Sequence, residues 1–281
     1  MREERPPVDP ERIAPSRLLP LRPVLVAVLA TTGCRAVYAV RFGVDGGALA
    51  AADGSGCIYL WDTGGGLAAT LAHPGSQGVL GVTIDPDGDL LAAADGNGRA
   101  YLWDLVTGEL ARTFVPRRGG GLNDVAFGLG GDLLAAAGGS EVYLWEVVSG
   151  KPAGTYIIPG DTTVYAVAFD PGGDVLAAAC GNGWVYLWDM ASRGLVGAFA
   201  GPGSRGVNGV AFGPGGDVLA AADGNGQVFV WDVRSGGLAG AFAGPGSRGV
   251  NGVAFAPGGD LLAAADGNGC TFLWKMHPRA S

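Results

Sequence analysis

Two recurring rows of positions carry the side chains of this chain that could do chemistry. The first reads Arg35, Gln77, Gly120, Thr162, Arg205 and Arg248. A guanidinium is a planar fork that holds carboxylates and phosphates. Arg35, Arg205 and Arg248 could therefore grip an acidic group on a partner, or pair with aspartates of the same chain. The second row reads Tyr38, Leu80, Asn123, Tyr165, Asn208 and Asn251. Of these, Tyr38, Tyr165, Asn208 and Asn251 offer rings and amides that suit a peptide, and equally a water-filled channel. Trp184 stands apart from the regular aromatic pattern. It could anchor a partner, or plug the space left where Cys180 replaces an aspartate found in other units.

Other chemistry fails on composition or spacing. Asp85-Pro-Asp-Gly-Asp89 looks like a calcium loop, but such a loop needs further oxygen ligands and a distal bidentate acid. The equivalent turns, Asp170-Pro-Gly-Gly-Asp174 and Gly213-Pro-Gly-Gly-Asp217, lose those acids. A tight turn is the simpler reading. His73 and His277 are the only histidines and lie far apart, so no multi-histidine metal site is expected. There is no Gly-x-Ser-x-Gly elbow for a serine nucleophile. Cys34, Cys57, Cys180 and Cys270 are too few for a disulfide scaffold, and no two have Cys-x-x-Cys spacing. Cys57 and Cys270 fall at equivalent positions of neighbouring units, too far apart for the ~7 Å limit between bonded cysteine Cα atoms. Free, buried thiols are expected there. The expectation is no catalytic residue, no metal and no cofactor.

The elements that position these groups follow from composition and repeats. The chain has 281 residues, 48% of them apolar and only 16% charged, which argues against wholesale disorder. Glycine accounts for 53 residues, far above the usual ~7%. That much glycine weakens helices and favours turns. Net charge is −8, the wrong sign for a general binder of nucleic acid or anionic membranes. The longest apolar run, Val24 to Ala30, is well short of the ~20 residues a spanning helix needs. Nearly all basic residues are Arg; with abundant Ala, Gly and Pro this suggests a high-GC bacterial genome.

Tyr-Leu-Trp-Asp or a close variant recurs six times, at Trp61, Trp103, Trp145, Trp188, Trp231 and Trp274, spaced 42, 42, 43, 43 and 43 residues apart. Each unit reads as four short strands between glycine turns. In the fifth unit the strands are expected at about Val207–Phe212 (A), Val218–Ala222 (B), Gln227–Asp232 (C) and Leu238–Ala243 (D). Asp-Gly and Asn-Gly supply the left-handed positions of a tight hairpin. A single unit cannot bury both faces, and radial repetition solves this. The expected fold is all-β: a closed six-bladed β-propeller of four-stranded antiparallel blades.

The period and the Trp-Asp ending resemble the WD-repeat family, here of a divergent bacterial type, over residues 24–275. Residues 1–23 are read as a flexible tail and 276–281 as a C-terminal tail. The last unit ends after strand C, and Leu25–Phe42 aligns without gaps on Leu195–Phe212. Leu25–Ala30 is therefore expected as the outer strand that closes the sixth blade, as WD-repeat rings close. A lipoprotein signal ending at Cys34 is the competing reading; its apolar core is short, and Thr31 stands where Leu is usual.

The resemblance implies that the D–A and B–C loops share one face around the channel mouth, and that Arg35, Arg205 and Arg248 form an arc there on consecutive blades. It also implies a protein- or peptide-binding scaffold, expected to be monomeric, cytoplasmic and without nucleic-acid or membrane partners. The alternative is a small-ligand or hydrolytic propeller with its site at the channel mouth. The family's usual blade-pinning side chains are mostly absent: strand B carries Ala instead of a hydroxyl, and only His73 remains in a D–A loop. Asp53, Asp95, Asp223 and Asp266 persist. They are expected to be satisfied by their own Asp-Gly-x-Gly turns, with the D–A loop arginines as second donors.

Overall fold

The computed structural model describes residues 36–43, 47–62 and 64–276. Each sequence unit folds into one antiparallel sheet. Strand A runs Val37–Phe42, Val79–Ile84, Leu122–Phe127, Val164–Phe169, Val207–Phe212 and Val250–Phe255 in blades 1 to 6. Strand B runs Ala48–Asp53, Leu90–Asp95, Leu133–Gly138, Val175–Cys180, Val218–Asp223 and Leu261–Asp266. Strand C runs Cys57–Asp62, Ala100–Asp104, Glu141–Glu146, Trp184–Asp189, Gln227–Asp232 and Thr271–Lys275. Strand D runs Leu67–Ala72, Leu110–Phe114, Pro152–Ile157, Leu195–Ala200 and Leu238–Ala243. The strands expected for the fifth unit are all present, with strand B one residue longer. Strand A of each of blades 1 to 5 packs on strand A of the blade that follows, so the sheets stand in a ring with A innermost: a six-bladed β-propeller.

Side-chain size follows position in this ring. Strand B lies near the axis, where blades converge, and its alternating residues divide between two interfaces. In blade 5, Ala220 and Ala222 pack with Leu262 and Ala264 of blade 6. Leu219 and Ala221 pack with Ala177 and Ala179 of blade 4. The narrow wedge accounts for the alanine runs. Farther out, blades diverge and aromatics fill the gap. The ring near the end of strand D meets the tryptophan of the following blade: Phe114–Trp145 at 5.4 Å, Tyr156–Trp188 at 5.2 Å, Phe199–Trp231 at 5.8 Å and Phe242–Trp274 at 5.7 Å. Such pairs add about 0.5–1.5 kcal/mol beyond burial.

The residue after tryptophan holds the C–D turn. Asp104 accepts the backbone N–H of Val106 (2.9 Å) and Thr107 (2.8 Å). Asp189 and Asp232 accept likewise from Ser192 and Ser235. The Thr107 N–H above all holds the Asp104 carboxyl below the usual carboxylate range, and the Ser192 hydroxyl does so for Asp189.

The seam between blades 1 and 6 is less covered than the others. Val37 is 50% exposed, whereas its counterparts Val79 and Val207 are 1% and 0%. Phe42 and Leu273 border the same seam at 66% and 52%. Blade 6 has three strands among the described residues. The expected closing strand, Leu25–Ala30, lies outside them, as does Cys34. Deleting residues 1–30 tests that strand. The expected outcome is a lower melting temperature and a broader transition by circular dichroism; an unchanged melt would remove this segment from the fold.

Candidate partner-binding face

Each D–A loop leads from strand D of one blade to strand A of the next and lies between two B–C turns. In the loops leading into blades 2, 5 and 6, the hydroxyls of Ser76, Ser204 and Ser247 donate to Asp95, Asp223 and Asp266. The backbone adds Gln77 N–H to Asp95 at 3.1 Å and Arg205 N–H to Asp223 at 3.5 Å. From the turn side, the N–H groups of Asn97, Asn225 and Asn268 reach the same carboxylates at 2.7, 2.8 and 3.0 Å. The turn satisfies its own aspartate, as expected. The second side-chain donor is a serine hydroxyl, not an arginine guanidinium; Arg205 contributes its backbone N–H. These hydrogen bonds, the Ser247 hydroxyl foremost, hold the Asp266 carboxyl below its usual range. In blade 1, Asp53 accepts from Ser55 Oγ (2.6 Å), Ser55 N–H (2.9 Å) and Cys57 N–H (3.1 Å).

The preceding blade closes the other side of the loop. A Cβ on Gly183 or Gly226 would lie 2.7 or 2.8 Å from the hydroxyl of Ser204 or Ser247, and φ is +86° and +91° there. Glycine is needed for both reasons.

Blades 3 and 4 lack the aspartate. In blade 3, Gly138 takes its position, and a Cβ there would meet Leu122 Cδ2 at 2.6 Å. Leu122 thus fills the vacated slot. A salt bridge, Arg118 Nη1 to Glu141 Oε1 at 3.1 Å, ties loop to blade instead. Glu141 is buried. Burial, then the hydrogen bond to Glu141, pushes the Tyr143 phenol up to about 12. In blade 4, Cys180 is fully buried, and burial raises its thiol to about 12, out of reach of thiolate chemistry. Cys57 and Cys270 are free as expected, but Cys57 is half-buried and Cys270 exposed. Cys57 opens strand C and Cys270 stands just before it, beside the B–C turn where the chain emerges into solvent, so the expectation of burial is corrected.

The second row of sequence positions has a structural basis. Every strand A skips one residue against strand B, and the skipped residues are Tyr38, Leu80, Asn123, Tyr165, Asn208 and Asn251. Such bulges re-aim a side chain. Tyr38 and Tyr165 lean over their own B–C turns: a Cβ on Gly54 or Gly181 would lie 3.0 or 3.2 Å from the ring. Asn123 and Asn208 donate to the carbonyls of Val164 (2.7 Å) and Val250 (2.9 Å), clamping the next blade. Asn208 therefore holds two blades together, whereas Asn251 is exposed. Trp184 opens strand C of blade 4, 42% exposed, with its ring stacked on Tyr186 at 6.4 Å.

Arg205 and Arg248 are exposed on this face, with no ion pair among the described residues. Arg35 lies outside the described residues. The acids of the face, Asp53, Asp95, Asp223, Asp266 and Glu141, are buried; Asp161 is the exposed exception. Exposed Arg99, Arg117 and Arg118 lie at the blade 2–3 boundary. The row comparison missed Arg117 and Arg118 because they precede Gly120, the aligned position. It also passed over Asp124, which stands where other blades have Ala or Gly. Asp124 is buried on strand A and accepts Val167 N–H at 3.2 Å. Burial raises its carboxyl above the usual range, against the pull of Arg41 and of that N–H.

A ring of antiparallel blades, each with a tryptophan in its third strand, defines a WD-repeat propeller. A family model described as WD domain, G-beta repeat matches residues 25–62, 65–104, 150–189, 194–232 and 237–275. These matches span more than half of the chain, which belongs to the WD40 repeat family. The first begins at the expected closing strand, and no match covers 105–149, which holds strand D of blade 2 and strands A, B and C of blade 3. No curated protein matches the chain. No helix among the described residues is long and apolar enough to cross a membrane.

Two substitutions test the geometry. Ser204→Ala leaves the buried Asp223 carboxylate without its hydroxyl donor and is expected to cost about 1–3 kcal/mol in urea unfolding. Asp124→Asn keeps an acceptor for Val167 and removes the charge. Because the folded carboxyl titrates above its unfolded value, wild type loses stability as pH rises through the folded value. The variant should gain on wild type in melting temperature as pH rises above about 4, where the unfolded carboxyl ionises.

Proposed function

We propose that this protein is a non-catalytic platform that binds a protein or peptide through the face formed by its D–A and B–C loops. One observation carries the reading. The acids of this face, Asp161 excepted, are buried and internally bonded, while Arg205 and Arg248 stand exposed and unpaired among the described residues. A chain of net charge −8 thus presents a basic arc. The partner carries acidic groups, and Arg35 is assigned as the third member of the arc. Tyr38, Tyr165, Asn251 and Trp184 supply exposed contacts at the same rim, and Asn208 supports them. The loops are held by Ser–Asp bonds and by Asn clamps between blades, so little ordering entropy is lost on binding. Scaffold roles are usual for the family and agree with this reading.

The test is affinity capture from a lysate of the source organism, read by mass spectrometry, with wild type beside Arg205→Glu/Arg248→Glu after circular dichroism shows both folded. The expected outcome is a partner held by wild type and weakened at least about tenfold in the variant, with wild-type binding falling as salt rises. Equal capture would move the site elsewhere; no specific partner in either sample would overturn the reading.

A further inference from the structure

The loop leading into blade 3 departs from its counterparts, and we propose that it binds a phosphate monoester carried on a side chain of the partner. The inference rests on the reading of this face as a protein-binding platform.

In blades 2 and 5 the loop N–H groups are used internally. Ser76 and Ser204 N–H donate to the carbonyls of His73 and Gly201, both at 3.1 Å. Gln77 and Arg205 N–H point to Asp95 and Asp223. Gly78 and Gly206 N–H reach the serine hydroxyls at 3.2 and 3.4 Å. Blade 3 has Gly119, Gly120 and Gly121 at these positions, with neither serine nor aspartate. Among the described residues, none of these three N–H groups has a hydrogen-bond partner. All three glycines are exposed. Nothing lies within 4 Å of where a Cβ on Gly119 or Gly120 would stand. Consecutive free N–H groups are donors that an incoming anion can use. Leu122 fills the inner slot, so the oxyanion that the aspartate supplies in blades 2 and 5 must arrive from solvent.

The surrounding guanidinium groups add donors for an oxyanion. Arg117 and Arg118 precede the glycines. Arg118 is 74% exposed, yet one nitrogen is held by the buried Glu141, which leaves its remaining donors free in a fixed orientation. Gly98 of blade 2 abuts the Gly120 carbonyl, bringing Arg99 to the same edge. A phosphate monoester carries about −1.5 to −2 at neutral pH and offers three strong acceptor oxygens to these N–H and guanidinium donors, where a carboxylate offers two.

The test uses the ¹⁵N-labelled full chain and three probes: N-acetyl-phosphoserine methylamide, N-acetyl-glutamate methylamide and inorganic phosphate. The phosphoserine probe should shift the Gly119, Gly120 and Gly121 amides and bind at least tenfold more tightly than the glutamate probe. Arg99→Gln/Arg117→Gln should weaken it at least tenfold; Arg118 is left in place because Glu141 depends on it. Silent glycine amides, or binding unchanged in the variant, would overturn the site. Inorganic phosphate binding as tightly as the phosphoserine probe would overturn a side-chain source in favour of free phosphate. Partner capture with silent glycines fails this site alone, and responding glycines without any partner fail the platform reading.

Discussion

The buried carboxylate at the end of strand B organises one end of the ring. An ionised aspartate with no solvent is tolerable only when donors surround it. In blades 2 and 5 those donors come from the B–C turn of the same hairpin and from the loop that enters the blade. The carboxylate therefore couples a local turn to a segment 18 or 19 residues away. The preceding blade's turn glycine lies against the same serine in the loops into blades 2, 5 and 6, so those loops are gripped from both sides. The family's usual strand-B hydroxyl and loop histidine are replaced here by alanine and by a loop serine, and the same burial problem is solved with different atoms.

This arrangement sorts charge. Acids on the loop face turn inward to be bonded, while the long stems of the arginines keep their charged heads in water. At the opposite end, the A–B turns expose Asp87, Asp89, Asp132, Asp174, Asp217 and Asp260. A protein of net negative charge thereby gathers its exposed aspartates at the A–B turns, while Arg205 and Arg248 stand exposed at the other end.

Blade 3 concentrates the exceptions. It loses the aspartate, fills the slot with Leu122, substitutes the Arg118–Glu141 ion pair, and carries Asp124 where neighbouring strands have only small residues. The family match leaves strands A, B and C of this blade uncovered. Its strands and core are nonetheless regular: Leu122, Leu134, Val142 and Trp145 pack as their counterparts do. The scaffold positions kept their side-chain volumes, and only the polar end of the blade diverged.

The sequence alone determined the six units, the strand boundaries and the core, because period-two alternation, glycine turns and the tryptophan spacing are local signals that every blade repeats. The turn bonds of Asp95 and Asp223 were legible for the same reason: donor and acceptor lie two residues apart. Tertiary structure decided what crosses between units. The serine donors, the Asn208 clamp onto blade 6, the exposure of Cys270 and the raised carboxyl of Asp124 each depend on groups about 20 to 40 residues away or on burial by a neighbouring blade. A hydrogen bond between distant loops leaves no periodic trace in the chain; it exists only once the ring brings them within 3 Å or so of each other.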